Sequence, residues 1–271
     1  MTEIRMIPSF DGTKLYSIKE MPKHEPKAIV LISHGLAEHA SRYDALTNTL
    51  LDANYGVYRY DQRGHARSEG ARTFFSDFNE MPDDAKVMVD LIKTENPGKP
   101  VYLIGHSMGG FTVVAFGTKY PNEAAGIVIS GAATRYNLQL FGPLPVEGDP
   151  KTYVDNSLSD GVCSDPKVIE AYNNDPLVEK QISIGLMNSL GSGIEWLKEN
   201  AEAFVDPVLV LHGANDGLVS EKDSRDLYGE IGSADKTLKI YSRLYHEIFN
   251  EPVKYEIYQE VIRWLDSQVE A

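Results

Sequence analysis

The chain predicts an α/β fold: a mostly parallel central sheet flanked by helices and carrying one large insertion. Three observations point there. Short β-rich runs alternate with segments of helical length. Several of those runs are apolar almost throughout, as strands covered on both faces must be. The alternation breaks once, over residues 134–203, and then resumes.

Taken in order, residues 3–10 and 14–20 flank Asp11-Gly12, a strong turn pair, so an antiparallel hairpin opens the sheet. The strands 28–33 (AIVLIS), 55–60 (YGVYRY), 101–105 (VYLIG), 126–130 (GIVIS), 208–212 (VLVLH) and 238–241 (LKIY) follow. Helical spacing is read over 43–53, 81–95, 108–120, 221–230 and 253–269, so right-handed strand–helix–strand crossovers are expected. The break holds Pro143, Pro145, Pro150, Pro166 and Pro176 with an apolar helix-like run at 182–190. A structureless excursion of that length is uncommon. The expected division is therefore a core of 1–133 and 204–271 with a cap insertion of 134–203.

Composition narrows the functional classes. The 271 residues carry 26 basic and 40 acidic side chains, a net charge of −14, which disfavours nucleic acid and anionic lipid headgroups as partners. It leaves room for transient contact with a lipid surface through an apolar patch on the cap. The single cysteine, Cys163, has no partner for an internal disulfide and points to a reducing compartment. Residues 1–9 show no basic-then-apolar signal pattern, and no run approaches the ~18 apolar residues of a membrane span. The expectation is a cytoplasmic protein. Oligomeric state is not readable.

The chemistry centres on Gly105-His106-Ser107-Met108-Gly109, a G-x-S-x-G between an apolar strand and a helical run. Such an elbow turns sharply from strand to helix and exposes the serine hydroxyl; bulky side chains two residues either side would collide. Ser107 is the expected nucleophile. A serine hydroxyl needs a base, and the base needs an acid to fix its tautomer; in α/β-hydrolases the chain order is Ser, acid, His. The run 208–219 (VLVLHGANDGLV) presents Asp216 in a Gly/Asn/Asp loop after a strand, and His246 lies just past the next strand. Asp206 precedes its strand and is the weaker acid; His212, at a strand end, reads as structural. None of the histidines shows H-E-x-x-H spacing, so neither a metal nor an organic cofactor is expected. The oxyanion needs two N–H donors: Met108, after the nucleophile, and Leu36, in the loop after the strand 28–33.

These residues resemble the monoacylglycerol lipase and lysophospholipase-like branch of the α/β-hydrolases, also described as serine aminopeptidase-like. The resemblance covers nearly the whole chain outside the cap. It is carried by residues 34–43 (HGLAEHASRY), similar to H-G-x-x-E-H-x-x-R-Y, by 61–70 (DQRGHARSEG), similar to D-x-R-G-H-G-x-S-x-G, by G-H-S-M-G-G, and by H-E-I-x-N-E from His246. It implies that Glu38, His39 and Arg42 order the pocket and that some of them lie near a glycerol headgroup. Spacing alone reads Glu38 and Arg42 as an i,i+4 surface pair worth ~0.5 kcal/mol or less. Ala66 stands where the family has glycine, so a different backbone path is expected over 61–68.

The reading is thus a serine carboxylic ester hydrolase acting on a small lipid-like ester, monoacylglycerol first, with lysophospholipase and short-chain carboxylesterase as nearest rivals. A non-catalytic ligand-binding protein on the same fold is the distant alternative. Apolar cap residues such as Phe141, Leu186 and Leu190 pack the cap or line an acyl tunnel.

Overall fold

The computed structural model describes residues 2–270. Met1 and Ala271, the ends of the predicted core ranges, lie outside the described residues. Strands β1 (Thr2–Pro8) and β2 (Lys14–Glu20) form the expected hairpin about Asp11-Gly12, with Gly12 at φ 90. β3 (Ala28–Ser33), β4 (Tyr55–Tyr60), β5 (Val101–His106) and β6 (Gly126–Ser130) follow. After residues 134–203, which hold β7 (Tyr153–Asp155) and β8 (Gln181–Ser183), come β9 (Val208–Gly213) and β10 (Lys236–Tyr241). The eight-stranded sheet has the order β1-β2-β4-β3-β5-β6-β9-β10. β2 is antiparallel to β1 and β4; every other neighbour is parallel. This is the α/β-hydrolase fold. β10 begins two residues before its apolar run because Lys236 and Thr237 pair with Val208 and Leu209, which no local pattern announces.

All residues of β3, β4, β5, β6 and β9 are buried, and the period of two divides them between two cores. Ile29 and Leu31 pack toward α2 (Glu80–Glu95) and α3 (Met108–Lys119), against Met88, Phe111 and Phe116. Ala28, Val30 and Ile32 face α1 (Asp44–Asp52) and α7 (Lys254–Val269), against Leu46, Tyr258 and Leu265. Each large apolar side chain so buried contributes ~1.5–3 kcal/mol before entropy is counted. α6 (Glu221–Glu230) crosses from β9 to β10.

Between β6 and β9 lie a hairpin of β7 (Tyr153–Asp155) with β8 (Gln181–Ser183), α4 (Pro166–Asn174) and α5 (Ile184–Asn200). The run 182–190 is divided: Ile182 and Ser183 end β8, and α5 continues ten residues further. Gly191 and Gly193 blur its apolar pattern, yet a Cβ at Gly193 would meet the Phe111 ring at 2.3 Å, so the small residue admits the core beneath. Asp165 and Ser183 cap α4 and α5 by accepting backbone N–H groups at Lys167 and Leu186.

Candidate active site

Ser107 sits between the end of β5 and the start of α3 with φ 54 and ψ −119, a left-handed conformation that costs an L-residue about 1–3 kcal/mol. Backbone bonds hold it: its N–H donates to the Ser130 carbonyl at 2.9 Å, and its carbonyl accepts from Phe111 at 3.0 Å and Ala133 at 3.3 Å. The flanking glycines are required by close approach. A Cβ at Gly105 would stand 2.3 Å from the Gly109 carbonyl oxygen, and one at Gly109 only 2.1 Å from that of Ser33. Backbone cannot move aside as a flexible side chain can.

Asp216 lies in the turn after β9. Its Oδ1 accepts the N–H groups of Leu218 and Val219 at 2.8 and 2.9 Å; its Oδ2 faces His246 Nδ1 at 2.6 Å. Burial alone would raise the Asp216 pKa, but the His246 charge and hydrogen bonds from His212 and His246 hold it far below the usual carboxylate range. His246 moves the other way. Burial would lower it, and the Asp216 charge and hydrogen bond, with Glu247 and Glu38 beyond, leave it raised above 6.5. Ser107 and His246 line one cleft without a hydrogen bond between them; such contacts are often long before a substrate binds.

Leu36 and Met108 line the same cleft, and among the described residues neither backbone N–H finds a partner within the chain. Met108 is the first residue of α3, whose N-terminal dipole favours negative charge. The loop bearing Leu36 is fixed from behind. Gly35 N–H donates to Glu38 Oε1 at 2.5 Å, and His34 Nε2 accepts the Gln62 N–H at 2.8 Å. Accepting there requires a neutral ring, and burial pushes His34 down to about 4.

Of the three residues expected to order the pocket, only Glu38 lines the cleft. Its carboxylate accepts from Gly35 N–H, from the Tyr43 hydroxyl at 2.6 Å and from Arg42 Nη1 at 2.9 Å. Arg42 stands outside the lining and forks onto Glu247, Nη1 to Oε1 at 2.5 Å and Nη2 to Oε2 at 2.8 Å. The Glu38–Arg42 pair is therefore buried, not the surface helix pair that spacing describes. His39 turns away and meets Asp175 Oδ2 at 2.9 Å.

Ala66 keeps the backbone that glycine would favour, with φ 40. Its N–H donates to Glu179 Oε1 at 2.9 Å and its carbonyl accepts from Arg72 at 2.8 Å, so partners on both sides offset the strain. Asp206 lies before β9 and accepts the Asn122 N–H at 2.9 Å, away from the cleft. Cys163 is buried and its thiol is pushed up to about 12, first by burial.

Several contributors escape the sequence pattern. Glu247 lines the cleft beside His246. His106 has its ring centroid 4.6 Å from that of His246 and is held down at about 4 by burial. His212 reaches Asp216 Oδ2 at 3.0 Å. The cleft takes apolar lining from Leu138, Leu140, Phe141, Leu158, Val162 and Leu190, all within residues 134–203. Among the described residues, no arginine or lysine lines it.

The family model for serine aminopeptidases S33 (Hydrolase_4) matches residues 24–253. The monoacylglycerol lipase of Mycolicibacterium smegmatis is 34% identical over 259 residues, covering 92% of this chain and 91% of that protein. Phospholipase YtpA of Bacillus subtilis is 28% identical over 253 residues, covering 90% and 97%. The crystal structure of the Paleococcus ferrophilus monoacylglycerol lipase superposes with a TM-score of 0.82 at 30% identity, covering 94% of this chain and 99% of that one. Elbow, sheet order and these similarities agree: the chain belongs to the serine aminopeptidase S33 family, in its monoacylglycerol lipase-like branch of α/β-hydrolases, and is a serine hydrolase of carboxylic esters.

Proposed function

We propose that the chain cleaves monoacylglycerols to fatty acid and glycerol through an acyl-enzyme on Ser107. His246 takes the Ser107 proton as the hydroxyl attacks the ester carbonyl, and Asp216 steadies the imidazolium that forms. The Leu36 and Met108 N–H groups receive the oxyanion; losing one such donor typically costs ~3 kcal/mol of transition-state stabilisation. Glycerol leaves with the proton from His246, and water repeats the sequence on the acyl-enzyme. Residues 134–203 act as a cap, and Leu138 and Leu140, 47% and 36% exposed, are its contact with a lipid surface.

The observation that carries the substrate is the mixed lining of the cleft. Apolar residues of 134–203 line it together with Glu38 and Glu247, carboxylates whose oxygens can accept hydrogen bonds from hydroxyl groups. One acyl chain on a small uncharged polyol matches both kinds of lining. A lysophospholipase is the second reading, favoured by the similarity to the Bacillus phospholipase.

The test is fatty acid release from monoacylglycerols of several lengths, a lysophosphatidylcholine and a short-chain ester, with Ser107→Ala as control. Highest kcat/KM on a monoacylglycerol is expected. Preference for the lysophospholipid or the short ester would overturn the substrate while leaving the chemistry in place.

A further inference from the structure

The run from His246 to Glu251, HEIFNE, supplies the base at its first position, and the mechanism above uses nothing of its last. Glu251 is fully buried. Its Oε1 accepts the Tyr245 N–H at 2.9 Å and the Ser164 N–H at 3.1 Å, and its Oε2 accepts the Ser164 hydroxyl. Tyr245 directly precedes the base, whereas Ser164 belongs to the insertion, 87 residues away from Glu251 in sequence.

Neighbouring contacts repeat the connection. Glu247 N–H donates to the Val162 carbonyl at 2.7 Å. Gly161 packs so closely that a Cβ there would stand 2.7 Å from Leu218, two residues past Asp216. Residues 161–164 thus touch the loop of the acid and the loop of the base. Loops are the mobile parts of a fold, and misplacing a reacting group by about 1 Å can cost 10²-fold in rate.

We propose that Glu251 is a positioning residue for His246: its carboxylate ties the backbone before the base to Ser164, so that the seating of the insertion sets the alignment of His246 with Ser107. This rests on the roles given above to Ser107 and His246. A carboxylate serving only the packing of the loop would support folding without affecting the reactivity of Ser107, and the two differ in a measurable way.

The readout is the rate of covalent labelling of Ser107 by a fluorophosphonate across pH, with folding followed by circular dichroism and KM measured on one ester. Glu251→Ala is expected to label about 10-fold slower or worse, with a displaced acid limb and KM within about twofold. Glu251→Gln keeps a carbonyl oxygen for both N–H groups and is expected to label within about threefold of the parent. A folded Glu251→Ala protein with the parent rate and pH profile overturns the proposal. Should that variant not fold, Ser164→Ala decides: about threefold slower labelling supports the tie, and an unchanged rate overturns it. A parent protein that never labels removes the assigned role of Ser107, a different failure from an intact parent indifferent to Glu251.

Discussion

His212 Nε2 stands 3.0 Å from Asp216 Oδ2, the oxygen that also meets His246 Nδ1 at 2.6 Å. The ring is oriented by its other contacts: Nδ1 lies 2.7 Å from the Ser224 hydroxyl and Nε2 3.0 Å from the Val219 carbonyl. Nε2, facing two acceptors, carries the proton, and Nδ1 accepts from Ser224. His212→Leu should leave Asp216 Oδ2 to His246 alone. The acid limb of kcat/KM then moves to higher pH, and stability falls by about 1–3 kcal/mol from the orphaned Val219 and Ser224 groups. A pH–rate series with a urea titration checks both; an unmoved limb would show that His212 does not compete for Asp216.

On the proposed mechanism His246 is the base and sets the parent profile. It would act when neutral, and its pKa is raised above 6.5, so kcat/KM should rise with pH to a midpoint above that value. The linked stability has opposite signs. His246 contributes most below its unfolded pKa and loses this as pH climbs through its raised folded pKa. Asp216, held down, contributes above its ordinary 3.8 and loses this only as pH falls through its lower folded value. Asp216→Asn should lower kcat on the order of 10⁴-fold and move the limb to lower pH.

Strain at the nucleophile predicts a trade between activity and stability. Ser107→Gly removes the hydroxyl and relieves φ 54 together. Activity should vanish while stability rises by about 1 kcal/mol, read as a higher urea midpoint at unchanged slope. A lower midpoint would contradict the strain.

Ala66 offers the same physics without the chemistry. At φ 40, Ala66→Gly should stabilise by roughly 0.5–1 kcal/mol with kcat unchanged, since the N–H to Glu179 and the carbonyl to Arg72 are backbone groups and remain. Denaturant titration of the pair is the measurement.

Arg42 sits between two buried carboxylates, Glu38 and Glu247, one on the oxyanion loop and one beside the base. Arg42→Met would leave both uncompensated, a loss of about 3–5 kcal/mol. Arg42→Lys restores charge without the fork and should recover only part, with kcat still reduced. Full recovery by lysine would show that charge alone matters there.

What could be read from the chain itself was whatever depends on neighbours in sequence. Strand and helix follow from apolar periodicity, the hairpin from Asp11-Gly12, and the elbow from glycines at 105 and 109 around Ser107. Asp216 and His246, the proposed acid and base, are singled out by chain order and by their loops after β9 and before α7. Within residues 134–203 the local signal caught α5 from residue 184 but missed its last ten residues and both short strands. β7 and β8 are three residues each and are defined by pairing with one another, and Gly191 and Gly193 of α5 make sense only against Leu144 and Phe111.

The partners of the site side chains were decided by tertiary structure alone. Arg42 and Glu247 are 205 residues apart, His39 and Asp175 136, Ser164 and Glu251 87. Spacing reads Arg42 and Glu38 as a solvated pair; burial and Glu247 make them a bridge between the loop after β3 and the loop of His246. Periodicity reports which face of an element is buried, because that is a property of the element. It carries no information on which distant carboxylate arrives at that face, because that depends on how the sheet brings the ends of β3, β5, β9 and β10 together.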